Sequence, residues 1–169
     1  MRINRRKNTR LSAKIKSLSA LKREILKLKK QGKRIIFTNG CFDILHYRHV
    51  KYLEDAKGRG DILIVAVNSD LSVRKIKGKN RPIVDESNRL KLLAALESID
   101  YVILFNETTP LALIKTIRPD ILIKGSDWSK NNIVGSDVVR AYGGRVETVK
   151  LVKGLSTTNL IKKIVKKHG

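Results

Sequence analysis

The 169-residue sequence has one cysteine, three prolines, one tryptophan and one methionine, and it sets only 15 acids against 37 lysines and arginines. With Cys41 alone, no internal disulfide can form and no thiolate cluster can hold a metal; a reducing cytoplasm is the expected compartment. Cys41 itself reads as a small, mildly apolar, buried packing residue rather than a nucleophile. No apolar run is long enough to span a bilayer, and the amino terminus lacks the continuous apolar segment of a secretory signal, so a soluble protein is expected. A chain of this length can bury a core as one domain without staples.

The shortage of acids leaves a formal charge of +22. Residues 1–30 hold 12 of the basic residues and the single acid Glu24, which is half of the excess. Within them Leu11, Ile15, Leu18, Leu21, Ile25 and Leu28 recur every three or four positions, so a helix there carries one narrow apolar stripe. The simpler reading is a basic extension whose stripe packs on the domain or on a partner subunit while its lysines stay in water. Binding to nucleic acid, an anionic membrane surface or an acidic partner, or an organellar address, would use the same composition.

Beyond residue 30, apolar β-branched runs alternate with helical patterns, the signature of a parallel sheet covered on both faces. Strands are predicted over Arg34–Thr38, Asp61–Asn68, Tyr101–Phe105, Asp120–Lys124 and Arg145–Leu151. Helices are predicted from His46 or His49 onward, over Glu86–Leu96, after a Thr109 cap and Pro110 up to Pro119, over Ile133–Ala141 and over Leu160–Lys167. Arg74–Arg81, with five cations in eight residues, reads as a basic loop able to fold over phosphates. The fold class is therefore α/β: a Rossmann-like, three-layer fold with five parallel strands and a basic helical extension in front.

One stretch carries the chemistry: Phe37-Thr38-Asn39-Gly40-Cys41-Phe42-Asp43-Ile44-Leu45-His46-Tyr47-Arg48-His49. A strand running through a glycine turn into a helix aims free amides and the positive helix end at one spot, where anions collect. His46 and His49, three apart, can face one bound phosphate. If the sheet is parallel, Asp70 and Asp127 at strand ends and Ser156-Thr157-Thr158 at a helix start lie along the same edge. Hydroxyls at a helix start commonly only cap it, yet here they can also donate to phosphate.

The ordered motifs GCFDILHxxHVxYL, VNSD, KGxxRP, LAALESIDYVILF, RPDILIKGSDW, IVGSDVV and GLSTTNLIKKI resemble those of the bacterial D-glycero-β-D-manno-heptose 1-phosphate adenylyltransferases. These are members of the HxGH nucleotidylyltransferase superfamily. The resemblance covers nearly all of Lys33–Lys167, and it makes residues 31–169 a nucleotidylyltransferase domain. It implies transfer of AMP from ATP to a heptose 1-phosphate, with His46, His49 and Lys77 catalytic. It implies a nucleotide site of Thr38, Asn39, Gly40, Cys41, Phe42, Lys124, Gly125, Asp127, Ser156, Thr157 and Thr158 besides the histidines. Asp43, Asp70, Lys77 and Arg81 would bind substrate. Mg²⁺ would arrive mainly on ATP phosphates, with no dedicated protein metal site. The kinase domain fused to some relatives is not in this sequence, so a separate heptose kinase is expected upstream, and a homo-oligomer is expected by analogy. The motif glycine is replaced by Arg48, expected to be accommodated rather than to block ATP. The rival readings are a CTP-dependent cytidylyltransferase acting on glycerol 3-phosphate and a basic nucleic-acid-binding protein with a decayed pocket.

Overall fold

Five apolar runs form one all-parallel sheet in a computed structural model that describes residues 11–129, 132–152 and 154–168. The strands are β1 (Ile35–Gly40), β2 (Ile62–Asn68), β3 (Tyr101–Phe105), β4 (Ile121–Gly125) and β5 (Arg145–Val149), ordered β3-β2-β1-β4-β5. β1 lies between β2 and β4, pairing Ile36 with Leu63 and with Ile121. Side chains alternate across the sheet, which divides the core in two. Ile35, Phe37, Ile64, Ala66, Ile103 and Leu122 pack on one face, and Ile36, Leu63, Val65, Val67, Val102 and Ile123 on the other. Nearly continuous apolar strands are what a parallel sheet buried on both sides requires.

The helices are α1 (Leu18–Lys30), α2 (Tyr47–Lys57), α3 (Asp70–Lys77), α4 (Glu86–Ala94), α5 (Leu111–Ile117), α6 (Ser136–Ala141) and α7 (Thr157–His168). Leu21 and Ile25 of α1, Leu113 and Ile114 of α5 and Val139 of α6 cover the first face. Leu53 and Ala56 of α2 and Leu93 of α4 cover the second. None of the helices among the described residues is long and apolar enough to cross a membrane.

The leading segment departs from a single helix. Residues 11–14 are helical, then Ile15 bridges to Val102 of the edge strand β3 and Ser17 caps a new helix by accepting from the Ala20 amide. Leu11 and Ile15 pack against the second face while Leu21 and Ile25 are buried in the first, so the segment rounds the β3 edge. Burying each of those two side chains is worth roughly 1.5–3 kcal/mol. The bridge at Ile15 also covers part of an otherwise open strand edge.

Other boundaries moved for local reasons. Asp61 and Asp120 precede their strands, because their carboxylates accept the Arg34 and Ile35 amides and close the sheet's amino-terminal edge. Asp100 does the same for Leu63. β5 ends at Val149, short of Leu151, and α6 starts at Ser136, after a turn at Ile133. The cap of α5 is Pro110, without a side-chain hydrogen bond, so Thr109 does not serve. The α3 helix was not expected; Ser69 caps it one residue after β2, and Arg74–Lys77 therefore belong to its last turn instead of a loop. α7 begins at Thr157, three residues earlier than the apolar pattern indicates.

Candidate active site

β1 and β4 are adjacent although β2 and β3 intervene in sequence, so the crevice outside their carboxyl ends is where an open parallel sheet receives ligands. A cleft of about 470 Å³ opens there, floored by Asn39, Gly40 and Lys124 and walled by His49, Lys77, Arg81, Asp127, Thr157 and Thr158. Trp128, Thr108, Thr109 and Pro110 also line it. A smaller hollow of about 170 Å³ adjoins it, sharing His49, Lys124 and Asp127 and adding Arg48, Tyr52 and Gly125.

The histidine turn is set by its backbone. Phe42 takes a positive φ of 47°, and its ring meets the edge of His49 at 5.3 Å between centroids. His46 caps α2 by backbone alone, and its ring stacks on His49 with centroids 3.9 Å apart and planes 13° from parallel. Both nitrogens of His46 and Nδ1 of His49 are buried without a partner among the described residues. Burial first, then His46 and Arg48, push His49 down to about 4, and burial followed by Arg48 lowers His46 as well. At neutral pH His49 is an uncharged hydrogen-bond donor, and an arriving anion would favour its protonation.

Lys124 is placed by β4 and donates to the carbonyl of Asn39 at 3.1 Å and to its side-chain oxygen at 2.5 Å. Burial lowers it to about 8, with Trp128 offering its ring face 5.7 Å from the ammonium. Gly125 leaves no room for a side chain, since a Cβ would stand 2.5 Å from Leu151 and 2.7 Å from the Asp127 carboxylate. Arg48 spans the turn: Nη1 donates to the Leu155 carbonyl at 3.1 Å and Nη2 to Asp127 at 3.3 Å.

Several residues assigned from the sequence lie off the cleft lining or are engaged by other partners. Thr38 is fully buried and meets the Tyr52 hydroxyl at 2.6 Å, beneath the cleft instead of on its surface. Asp43 lines the cleft, but its carboxylate accepts from Arg81 and from the amides of Ile83 at 2.8 Å and Val84 at 2.9 Å. It thus holds Arg81 and its loop, with little capacity left for substrate. Asp70 is absent from the cleft lining and pairs with Arg89 at 2.7 Å. Ser156 points back to cap α7 at the Asn159 amide, leaving Thr157 and Thr158 to face the cleft. His46 lines neither hollow; it stands behind His49, stacked on its ring. Cys41 is half-buried on the lining, where burial pushes its thiol up and keeps it protonated.

Arg89 was not foreseen. Only 1% exposed, it donates to the carbonyls of Val84, Cys41 and Asn68 at 2.6–2.9 Å and to Asp70, binding β1, β2 and α4 into one floor. Its signal in the sequence is an arginine one turn before Leu93 on the buried face of α4.

The cytidylyltransferase-like family model matches residues 37–166. The chain belongs to the cytidylyltransferase-like family. Among similar proteins, the Bifunctional protein HldE of Geobacter metallireducens is 55% identical over 93% of this chain, and that of Campylobacter fetus subsp. fetus is 52% identical over 83%. The chain spans only about a third of these relatives, 32% and 30% of their lengths. A solved structure, the lipopolysaccharide core biosynthesis protein from Thermoplasma volcanium, is 33% identical and covers 72% of this chain and 98% of its own, with a TM-score of 0.60. The family match takes in the histidine turn, the Lys124–Asp127 strand end and the Thr157–Thr158 helix start together.

Proposed function

We propose that the chain is a nucleotidylyltransferase moving AMP from ATP to D-glycero-β-D-manno-heptose 1-phosphate, yielding ADP-heptose and pyrophosphate. The observation that carries this reading is the meeting of His49, Lys77, Arg81, Thr157 and Thr158 around one cleft, with His46 stacked behind. The heptose acceptor rests on the ordered motifs and on relatives that carry the HldE name.

A phosphate oxygen of the sugar 1-phosphate attacks the α-phosphorus of ATP. The new oxygen–phosphorus bond forms as the bond to the β-phosphate breaks, and pyrophosphate departs with the electron pair. The nucleophile is already anionic near neutral pH, so no strong base is required. Alignment and charge neutralisation do the catalysis. His49 donates to the triphosphate, Lys77 and Arg81 offset its charge, and the start of α7 offers threonine hydroxyls and free amides. Mg²⁺ would be carried mainly by the ATP phosphates, where it would add to the charge neutralisation that Lys77 and Arg81 give the departing pyrophosphate. In this reading a sugar kinase activity supplies the sugar phosphate, and the protein works as a homo-oligomer.

A second reading, CTP-dependent transfer to glycerol 3-phosphate or a related phosphate, draws on the family description. Pyrophosphate release measured with ATP, CTP and GTP against a panel of sugar and polyol phosphates separates the two. Turnover is expected with ATP and the heptose 1-phosphate; turnover only with CTP and glycerol 3-phosphate replaces the first reading by the second. No turnover in any combination, with salt-sensitive RNA binding that survives loss of both histidines, leaves the nucleic-acid-binding alternative.

A further inference from the structure

The two walls of the cleft come from distant parts of the chain, and one side chain joins them. Arg48 sits in the first turn of α2, next to His49, and its guanidinium bridges the Asp127 carboxylate at 3.3 Å and the Leu155 carbonyl at 3.1 Å. Asp127 follows β4 and neighbours Trp128; Leu155 lies two residues before α7, where Thr157 and Thr158 face the cleft. Arg48 lines only the smaller hollow, so it bears on the main cleft through Asp127 and Leu155 and not by lining it.

We infer that Arg48 is a positioning residue, a clasp that fastens the Asp127 loop and the approach to α7 against the histidine turn and so sets the width of the nucleotide cleft. The inference rests on the nucleotidyltransferase reading above. Three observations support it. α7 has no buried residue, so packing alone does not fix its start. The Asp127 carboxylate folds back so closely over the end of β4 that a Cβ at Gly125 would stand 2.7 Å from it, which holds the carboxylate where Arg48 meets it. The arginine side chain is 24% exposed and Asp127 57%, so the ion pair by itself is weak; the second donor, to a backbone carbonyl, ties the segment down. The guanidinium meets the two acceptors with two separate nitrogens in a fixed fork, whereas a lysine has one nitrogen and would need both acceptors to converge on it.

Trp128 is the sole tryptophan and lines the cleft beside the clasp, so its fluorescence reads nucleotide binding independently of turnover. The test titrates ATP into wild type, Arg48→Lys, Arg48→Ala and Asp127→Asn, and measures KM and kcat for each by pyrophosphate release. Circular dichroism spectra confirm that each variant is folded. The inference expects Arg48→Ala to weaken ATP binding and raise its KM by about tenfold, with a smaller change in kcat and partial recovery in Arg48→Lys. The Arg48→Ala/Asp127→Asn double variant is expected to lose less than the two single losses combined. Faster amide exchange at residues 156–160 of Arg48→Ala is expected in parallel. Wild-type affinity and exchange in folded Arg48→Ala, or equal losses in kcat alone, overturn the clasp. If Arg48→Ala does not fold, Arg48→Lys with wild-type KM overturns it equally. A wild-type protein whose fluorescence ignores ATP, CTP and GTP overturns the underlying nucleotide reading instead, which keeps the two failures apart.

Discussion

The two walls of the cleft are built on different principles. The wall made by β1 and the histidine turn rises from the middle of the sheet, and beneath the unpartnered imidazoles of His46 and His49 it is tied internally by Arg89 under Cys41 and Asn68, by Asp43 holding Arg81, Ile83 and Val84, and by Lys124 on Asn39. The opposite wall is the start of α7, a helix with no buried residue, tied by the Ser156 cap and the Arg48 bond to Leu155. One wall is fixed before any ligand arrives, while the other is held by a few polar threads. Such an arrangement suits a site that must grip a highly charged reactant and then release charged products.

The comparison can be broken first at its rigid side. Removing the buried cation in Arg89→Met strands three carbonyls and the Asp70 carboxylate, so a loss of about 3–5 kcal/mol is expected in denaturant unfolding. A variant within 1 kcal/mol of wild type would show that the floor is not held this way. Next comes chemistry: His49→Ala is expected to lose on the order of a hundredfold or more in turnover while remaining folded. Turnover near wild type would remove His49 from the mechanism.

The buried histidine also marks the rigid wall in its pH response. Its folded-state value near 4 lies below the ordinary 6.5, so between those values the unfolded chain binds more protons. The stability due to neutral His49 is full above about pH 6.5 and is lost as pH falls toward 4. Melting curves across that window should fall more steeply for wild type than for His49→Gln, and equal slopes would contradict the assignment. The smallest effect belongs to the loose wall. Ile164, 55% exposed on α7, should change stability by less than about 0.5 kcal/mol when replaced by Ser. A larger loss would mean that α7 is packed against something.

How far the sequence could be read follows the same division. Strands such as Ile62–Asn68 and Tyr101–Phe105 announce themselves because a doubly buried strand must be apolar throughout, and the histidine turn is legible because its signal is local. Helix α3 escaped because Arg74, Lys75 and Lys77 crowd its last turn and conceal the Ser69 cap. Thr38 looked available on motif position alone, but strand alternation turns it inward onto Tyr52. The partners of Arg48 and Arg89 were beyond reach, since Asp127, Leu155, Cys41 and Asn68 come to them only through the fold. Distances along the chain of 79 and 107 residues leave no periodic trace.

The most direct test of a shared nucleotide cradle is a crystal structure with a non-hydrolysable ATP analogue and Mg²⁺. The phosphates are expected within hydrogen-bond distance of the His49 imidazole and of the Thr157–Thr158 helix start in the same molecule. A nucleotide whose phosphates touch only one of those walls, or that binds outside this cleft, would contradict the account.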